Sequence, residues 1–282
     1  MSNTPRMIVD NTIRSEEEWI DGLNSFPYKM LYEKIIFSGG EPSLHKGFYN
    51  IVTSVKGYKN VLIVSNLSFD VEKLIHFTRK NDASLIVQPS FHYEFSNYDV
   101  FVNKIRKLKQ NNMLSNFIPV SIVDIPDREE PGHYRAEFKR NGFIASLYHF
   151  EGYYRGVFNS AVKEGFGSLG RTASVVCYSV CNSVKPNGDI VFCPTDTYEK
   201  NAEKFGNICD QVYLDIAAKR ICARYGTCHV SSASWCMIKT LAEDKTVWKG
   251  KNFREKNLKT RLRNFLEKKN YPWLAQLKEY YN

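Results

Sequence analysis

The chain has 282 residues, of which 43% are hydrophobic and 24% charged, a composition typical of a globular protein and unlike that of a disordered or fibrous chain. No apolar run reaches the ~18 residues that a membrane helix needs, and the first ten residues lack the regions of a signal peptide. We therefore predict no transmembrane segment and a cytoplasmic location. The net charge of +9 is concentrated at the end: residues 245–282 carry eleven Lys or Arg and three Glu, a net +8, which leaves +1 for the rest.

The first half of the chain alternates between predicted helices and predicted strands. Ser15 to Glu18 has the S-x-x-E form of a capping box, which predicts a helix that continues through Leu23. A short apolar run, Ile35 to Phe37, ends at two glycines and predicts a buried strand. The later predicted elements are a helix around 47–55, a strand at 60–66, a helix at 70–81, a strand at 84–91, a helix at 98–112, a strand at 117–126, a helix at 129–142 and a strand at 143–150.

This alternation predicts βαβ units and a parallel sheet, and therefore an α/β fold. Five strands are too few for a closed eight-stranded barrel, so we expect an open or partial (β/α) barrel over residues 1–152. Functional residues on such sheets lie at the carboxyl ends of the strands. Beyond the sheet we predict a glycine-rich linker at 153–170, a cysteine-rich β-hairpin and helix extension at 171–244, and a basic helical tail at 245–282.

The segment FSGGEPSLH, residues 37–45, is the first chemically distinctive motif. Two glycines after a strand let the backbone approach a ligand closely, because no Cβ intervenes. Exposed carbonyls and the carboxylate of Glu41 could hold an ammonium group, and Pro42 rigidifies the exit from the loop. On the residues alone, an ordinary tight turn between a strand and a helix is the alternative.

In its wider context, FSGGEPSLH resembles the methionine-binding loop of radical S-adenosylmethionine (SAM) enzymes. The next strand ends in SNLS (65–68) and the following one in PSFHYEF (89–95), similar to motifs at the same points in that family. The resemblance covers roughly residues 15–150 and implies a SAM site whose first loop holds the methionine amino group. The implied cofactor-binding residues are Gly39, Gly40, Glu41, Pro42, Ser65, Asn66, Ser90 and His92. Structural roles are the alternative for His92 and for His45, and a cap of the next helix or turn is the alternative for Asn66.

All seven cysteines lie between residues 177 and 236. An odd, clustered set in a chain predicted to be cytoplasmic favours metal ligation over a disulfide framework, with buried free thiols as the alternative. The turn signal KPNGD (185–189) lies between Cys177 and Cys193 and predicts a β-hairpin. Four thiolates can bind an iron–sulfur cluster or zinc. The candidate metal ligands are Cys177, Cys181, Cys193, Cys222 and Cys228.

This hairpin resembles the SPASM/twitch extension of radical-SAM enzymes, which implies one auxiliary [4Fe–4S] cluster, with zinc as the alternative cofactor. Cys177 and Cys193 are the firmest implied ligands. Two further places remain, for which the competing residues are Cys181, Cys222, Cys228 and Cys236. We expect Cys209 to be a packed thiol, and His229 to be a ligand only for zinc.

The chain departs from the family at its beginning. The C-x3-C-x2-C loop that normally holds the catalytic cluster is absent, because no cysteine precedes Cys177, and a cluster needs thiolate ligands. The first barrel strand of the family is missing with it. We therefore expect a shortened chain whose missing strand and cluster loop would precede Met1, and which does not cleave SAM as it stands.

Three functions from different classes follow. The first is a radical-SAM-type enzyme that cleaves SAM reductively, with an electron donor, to abstract hydrogen from a small-molecule or peptide substrate. The second is a non-catalytic relative that acts as a binding or partner protein. The third is an iron–sulfur or zinc protein that uses only the C-terminal cysteines. The basic tail, with apolar residues at helical spacing around Leu258 to Leu266, either contacts an anionic partner or packs on the body.

Overall fold

A computed structural model divides the chain into two compact units. The N-terminal unit is Ser15–Asn159, and the C-terminal unit combines Met1–Arg14 with Ser160–Asn282. The structure describes residues 14–27, 34–58, 60–114, 119–125, 127–149, 183–192, 196 and 202–213, and the backbone alone of 152–154, 157–159, 175–179, 219–222, 236–240 and 246–248. Within these ranges, no helix has the length and hydropathy needed to cross a membrane.

The N-terminal unit alternates helices with strands, as the sequence predicts. The helices are α1 (Glu16–Ser25), α2 (Phe48–Ser54), α3 (Val71–Lys80), α4 (Tyr98–Gln110) and α5 (Glu130–Arg140). The strands are β1 (Lys34–Phe37), β2 (Asn60–Ser65), β3 (Leu85–Phe91), β4 (Val120–Asp124) and β5 (Ala145–His149). A short antiparallel pair, β6 (Gly152–Tyr154) with β7 (Val157–Asn159), closes the unit within the first part of the predicted linker.

The five strands form one parallel sheet in the order β1-β2-β3-β4-β5, which confirms the predicted α/β class. Because all neighbours are parallel, the carboxyl ends of the strands meet at a single edge of the sheet. Among the described strands, β1 and β5 are the two edges, and no pairing closes the sheet into a barrel.

One face of the sheet carries the hydrophobic core, against which α2 to α5 pack. Burial alternates along β3, so that every second residue from Leu85 to Phe91 is buried, as expected for a strand with one face in the core. Phe91, Phe101 and Phe138 are almost fully buried and bring β3, α4 and α5 into contact through their rings. Each such ring contributes ~2–3 kcal/mol by burial, so this cluster fixes the end of β3 in place.

The helices begin where their sequences predict. Ser15 Oγ accepts a hydrogen bond from Glu18 N at 3.2 Å, and Glu18 Oε2 accepts one from Ser15 N at 2.6 Å, which is the predicted capping box. Asp70 caps α3 and Asn97 caps α4 in the same way, by accepting from amides of the first turn. Asp70 and Asn97 lie five and six residues after the last residues of β2 and β3, so the loops that connect these strands to α3 and α4 are short.

The C-terminal unit contains two antiparallel sheets. The first has the order β13 (Lys219–Cys222), β8 (Val175–Ser179), β14 (Cys236–Thr240), β15 (Thr246–Trp248). The second has the order β12 (Val212–Tyr213), β11 (Lys204–Asn207), β10 (Asp189–Val191), β9 (Ser183–Val184). The turn between β9 and β10 is the predicted KPNGD hairpin. Residues 249–282, which include the predicted tail helix, lie outside the described residues.

Candidate functional site

The carboxyl ends of β1, β2 and β3 bring the predicted site residues together. We call this edge the strand-end rim; it comprises residues 38–47, 65–70 and 90–97. Gly39, Gly40 and Glu41 follow β1 on this rim. Ser65 and Asn66 end β2, and Ser90 and His92 end β3. The order β1-β2-β3 places the three loops side by side, although their sequence positions are about 25 residues apart.

The carboxylate of Glu41 ties the first loop to the end of β2. Its Oε1 accepts from Ser43 N at 3.2 Å, Ser43 Oγ at 2.8 Å and Ser65 Oγ at 2.8 Å. Its Oε2 accepts from Asn66 N at 2.9 Å. We call these four bonds the Glu41 latch. Since a carboxylate has about four acceptor positions, the latch leaves little capacity for a direct bond from a ligand to Glu41.

The two glycines leave an open stretch of backbone beside the latch. Gly39 has φ +92° and Gly40 has φ +55°, in the left-handed region that favours glycine, and both residues are exposed. A Cβ placed on either would meet no atom within 4 Å. The glycines are therefore required by backbone conformation and not by packing, and the space above them is accessible to a ligand. Pro42 begins a short 3-10 helix, Pro42–Leu44, which fixes the exit from the loop.

Ser65 and Asn66 are held by bonds within their own loop. Ser65 is buried, with 2% of its surface exposed, and its Oγ accepts from Leu67 N at 3.0 Å while donating to Glu41. Asn66 Oδ1 accepts from Ser68 N at 2.8 Å, which forms a tight polar turn after β2. Leu67 has φ +58° yet is buried, so this loop holds one non-glycine residue in a disfavoured conformation.

Ser90 and His92 lie close together at the end of β3. Ser90 Oγ and His92 Nε2 are 3.2 Å apart and share a hydrogen bond. Burial lowers the pKa of His92 below its ordinary value, and the carboxylates of Glu41 and Glu94 oppose that shift. His92 is therefore neutral at pH 7, and the field of the latch carboxylate reaches it. His45 accepts from Gly47 N at 3.1 Å, a local structural role.

The rim also contains residues that sequence reasoning missed. Tyr93 stacks on Tyr134 with ring centroids 5.8 Å apart, and its hydroxyl is buried with no hydrogen-bond partner among the residues that the structure describes. Burial raises the pKa of Tyr93 to about 12. Leu44 and Phe95 are 81% and 85% exposed, so large apolar side chains flank the polar site. The alternation of apolar and polar residues along a strand carries no signal for loop residues such as these.

A compact polar network stabilises the hairpin of the C-terminal unit. Asp189 is 7% exposed, and its carboxylate accepts from Lys204 Nζ at 2.6 Å, Asn187 Nδ2 at 2.9 Å and Asn207 Nδ2 at 3.2 Å. Burial alone would raise the pKa of Asp189, but the bonds from these three donors together lower it below its ordinary value. Gly188 has φ +90°, and a Cβ there would collide with the side chain of Asn207.

Arg14 adds a second clamp to the same hairpin. Its Nε donates to Asn187 O at 3.0 Å, and its two terminal nitrogens contact the carboxylate of Asp210 at 2.8 Å each. This bidentate geometry is the strongest form of an arginine–carboxylate pair. It fixes the turn that precedes β10. Cys209, the predicted packed thiol, is buried beside this turn.

The strand register brings the backbones of three cysteines near one another in the first C-terminal sheet. Cys222 pairs with Val175 and Cys236 pairs with Ser179, and both partners lie two residues from Cys177 on β8. The strand spacing of ~4.8 Å and rise of ~3.4 Å per residue put the Cα of Cys177 about 8 Å from each of the other two.

The same register separates Cys222 from Cys236. They lie two strands and four residues apart, which gives a Cα separation of about 17 Å from the strand spacing and rise. Cys181, Cys193 and Cys228 lie outside the described residues.

Among the side chains that the structure describes, no group of three or more His, Cys, Asp or Glu is arranged to hold a metal ion. Comparison with protein-family models, with curated proteins and with solved structures returns no match for this chain. The site is therefore defined by its own geometry: a polar rim on a parallel α/β sheet, with an exposed glycine loop tied to the neighbouring strand.

Proposed function

We propose that the N-terminal unit is a partial (β/α) barrel of the radical-SAM type and that it binds SAM at the strand-end rim. The observation that carries this proposal is the Glu41 latch. It holds the GGEP loop against the end of β2, and the backbone of Gly39 and Gly40 is exposed on the same rim as Ser90 and His92. Cytoplasmic location is part of the same proposal.

The residues present fit a SAM molecule. Carbonyl oxygens of the glycine loop accept hydrogen bonds from the methionine ammonium group, and the negative charge of Glu41 favours a cation there. The neutral imidazole of His92 and the hydroxyl of Ser90 supply polar contacts from β3. In this family, SAM supplies the deoxyadenosyl group that abstracts hydrogen from a substrate. Exposed Leu44 and Phe95 on the same rim support a substrate with apolar side chains, such as a peptide.

The N-terminal unit does not fit the catalytic cluster of the family. Reductive cleavage needs an iron–sulfur cluster on thiolates, and residues 1–176 contain no cysteine. We therefore propose that this chain binds SAM without cleaving it. A full enzyme would need a cluster loop supplied from outside the present sequence, and a binding or partner protein would need none.

A second function, metal binding by the C-terminal unit, is favoured by a separate observation. The backbone register gives Cys177 a Cα distance of about 8 Å from both Cys222 and Cys236. We propose one auxiliary [4Fe–4S] cluster on Cys177, Cys193 and two of Cys181, Cys222, Cys228 and Cys236, with zinc as the alternative metal. A cluster in this unit would pass electrons or ligate a substrate.

Calorimetric titration with SAM tests the first proposal. The wild-type chain is expected to bind SAM, and Gly39→Ala is expected to weaken binding at least tenfold, because a Cβ there occupies the space of the ligand. Gly142→Ala is the matched control, since Gly142 has φ +77° and equally open surroundings but lies after α5. Equal SAM affinity of the two variants, or no SAM binding by the wild-type chain, would contradict the proposal.

Anaerobic reconstitution with iron and sulfide tests the second proposal. We expect about four irons per chain, as one cluster requires. Stoichiometric zinc without iron would favour the zinc alternative and remove the cluster. With a strong reductant, the chain is expected to form no 5′-deoxyadenosine from SAM, and turnover would contradict the proposal of binding without cleavage.

A further inference from the structure

We propose that Lys104 is a positioning residue for the SAM site, an inference that rests on the proposed function. Lys104 lies in α4, outside the strand-end rim, and is half-buried. Its Nζ donates to Leu67 O at 2.6 Å and to Phe69 O at 3.0 Å. Both carbonyls belong to residues 66–70, which we call the β2 loop. A side chain 37 residues from Leu67 in sequence therefore holds the loop that completes the latch.

The β2 loop needs the hydrogen bonds from Lys104 because Leu67 has a disfavoured backbone conformation. Its φ of +58° lies in the left-handed region, which disfavours any residue with a Cβ. The side chain of Leu67 is 2% exposed, so the residue is fixed at one end by the core and at its carbonyl by Lys104. Without the ammonium group, the backbone is expected to relax toward an ordinary conformation.

Relaxation at Leu67 would be transmitted to Glu41 through Ser65. The N–H of Leu67 donates to Ser65 Oγ at 3.0 Å, and this hydroxyl donates to Glu41 Oε1 at 2.8 Å. Since the Leu67 N–H occupies one acceptor position of the hydroxyl oxygen, the Ser65 proton is directed at Glu41. Lys104 thus acts on the latch through the loop and contacts no ligand.

Core packing holds the helix that carries Lys104 in place. The neighbouring residues Phe101 and Ile105 are 3% and 0% exposed, so the core holds α4 against the sheet. Within the part of the chain that the structure describes, no carboxylate pairs with the Lys104 ammonium, which is directed at the two loop carbonyls. Hydrogen bonds from a charged donor are stronger than neutral ones, so two of them are sufficient to order a short loop.

The test compares Lys104→Met with Lys107→Met in the full chain. Met keeps the length and apolar stem of lysine but has no donor, and Lys107 is an exposed residue of the same helix that pairs with Glu72. Amide hydrogen exchange by NMR at Asn66 and Leu67, and calorimetric titration with SAM, are measured for each variant. We expect exchange about tenfold faster and SAM binding about tenfold weaker in Lys104→Met, and wild-type values in Lys107→Met.

The two readouts separate this inference from the proposed function. Unchanged exchange at Asn66 and Leu67 in Lys104→Met overturns the role of Lys104. Faster exchange with unchanged SAM affinity overturns its role in the site, because the residue is then merely structural. If the wild-type chain binds no SAM, the proposed function fails, and with it the role in the site. Should Lys104→Met not fold, Lys104→Gln, which removes the charge and shortens the side chain by one bond, takes its place with the same expected results. Lys104→Arg, which keeps charge and donors, is expected to restore both readouts to within about threefold of wild type.

Discussion

The Glu41 latch gives the most specific stability prediction. In Glu41→Gln, the amide oxygen can keep the three bonds from Ser43 and Ser65, but the amide nitrogen then faces the N–H of Asn66. One charge-assisted bond is lost, and two donors are brought together. Since a hydrogen bond to a charged group contributes ~1.5–3 kcal/mol, we expect Glu41→Gln to lower the free energy of unfolding by about 2 kcal/mol.

Urea unfolding followed by helical circular dichroism measures this change. All helices in the described part of the chain belong to the N-terminal unit, so unfolding of that unit contributes to the signal. With a urea dependence of ~2 kcal/mol per M, a loss of about 2 kcal/mol lowers the midpoint by about 1 M. The matched control is Glu94→Gln, an exposed glutamate on the same rim, for which we expect a change below ~0.5 kcal/mol.

A double-mutant cycle with Ser65→Ala isolates the central bond of the latch. Ser65 and Glu41 are in direct contact at 2.8 Å, so their substitutions are expected to be non-additive by ~1 kcal/mol or more. The reasoning is refuted if Glu41→Gln is as stable as wild type, or if the two substitutions add within ~0.3 kcal/mol.

Three further predictions follow from the same geometry. The pKa of His92, measured by NMR titration, is expected below 6.5 and lower still in Glu41→Gln, since burial lowers it and the Glu41 charge raises it. The contribution of neutral His92 to the free energy of unfolding is therefore complete above pH ~6.5 and is lost as the pH falls through the pKa of His92 in the folded protein. A pKa of His92 above 6.5 would contradict the burial argument. Gly188→Ala is expected to destabilise the C-terminal unit by ~2 kcal/mol or more, because of the positive φ of Gly188 and the collision of a Cβ with Asn207. Gly132→Ala in α5 is expected to stabilise its helix by ~0.5–1 kcal/mol. A thermal unfolding experiment in which Gly188→Ala is the more stable variant would contradict this prediction. Cys177→Ser is expected to abolish reconstituted iron while Cys209→Ser preserves it; loss in both would contradict the assignment of Cys209 as a packed thiol.

The elements of the N-terminal unit could be predicted because their signals are local. The capping box at Ser15 and Glu18 and the burial alternation of β3 each depend on neighbouring residues, and both are present. Of the predicted strand at 117–126, the structure describes Val120–Asp124 as strand, and residues 117, 118 and 126 lie outside the described residues. Pro119 is described and does not belong to the strand, as expected for a residue without an N–H for a ladder bond.

The contacts of the site could not be predicted, because they join residues far apart in sequence. The rim positions of Glu41, Ser65 and His92 follow from strand order, but the latch bonds depend on the exact register of β1 with β2. Lys104 lacks any sequence signal, since a lysine in an amphipathic helix is ordinarily a solvated charge. The backbone proximity of Cys177 and Cys222 depends likewise on the register between β8 and β13.

An NMR titration of the labelled chain with SAM tests the central claim most directly, because it reports both binding and location. The account predicts saturable shifts at the amides of Gly39, Gly40, Asn66 and Ser90, with the hairpin amides of the C-terminal unit unchanged. Shifts confined to the C-terminal unit, or no shifts at millimolar SAM, would contradict the assignment of the strand-end rim as a SAM site.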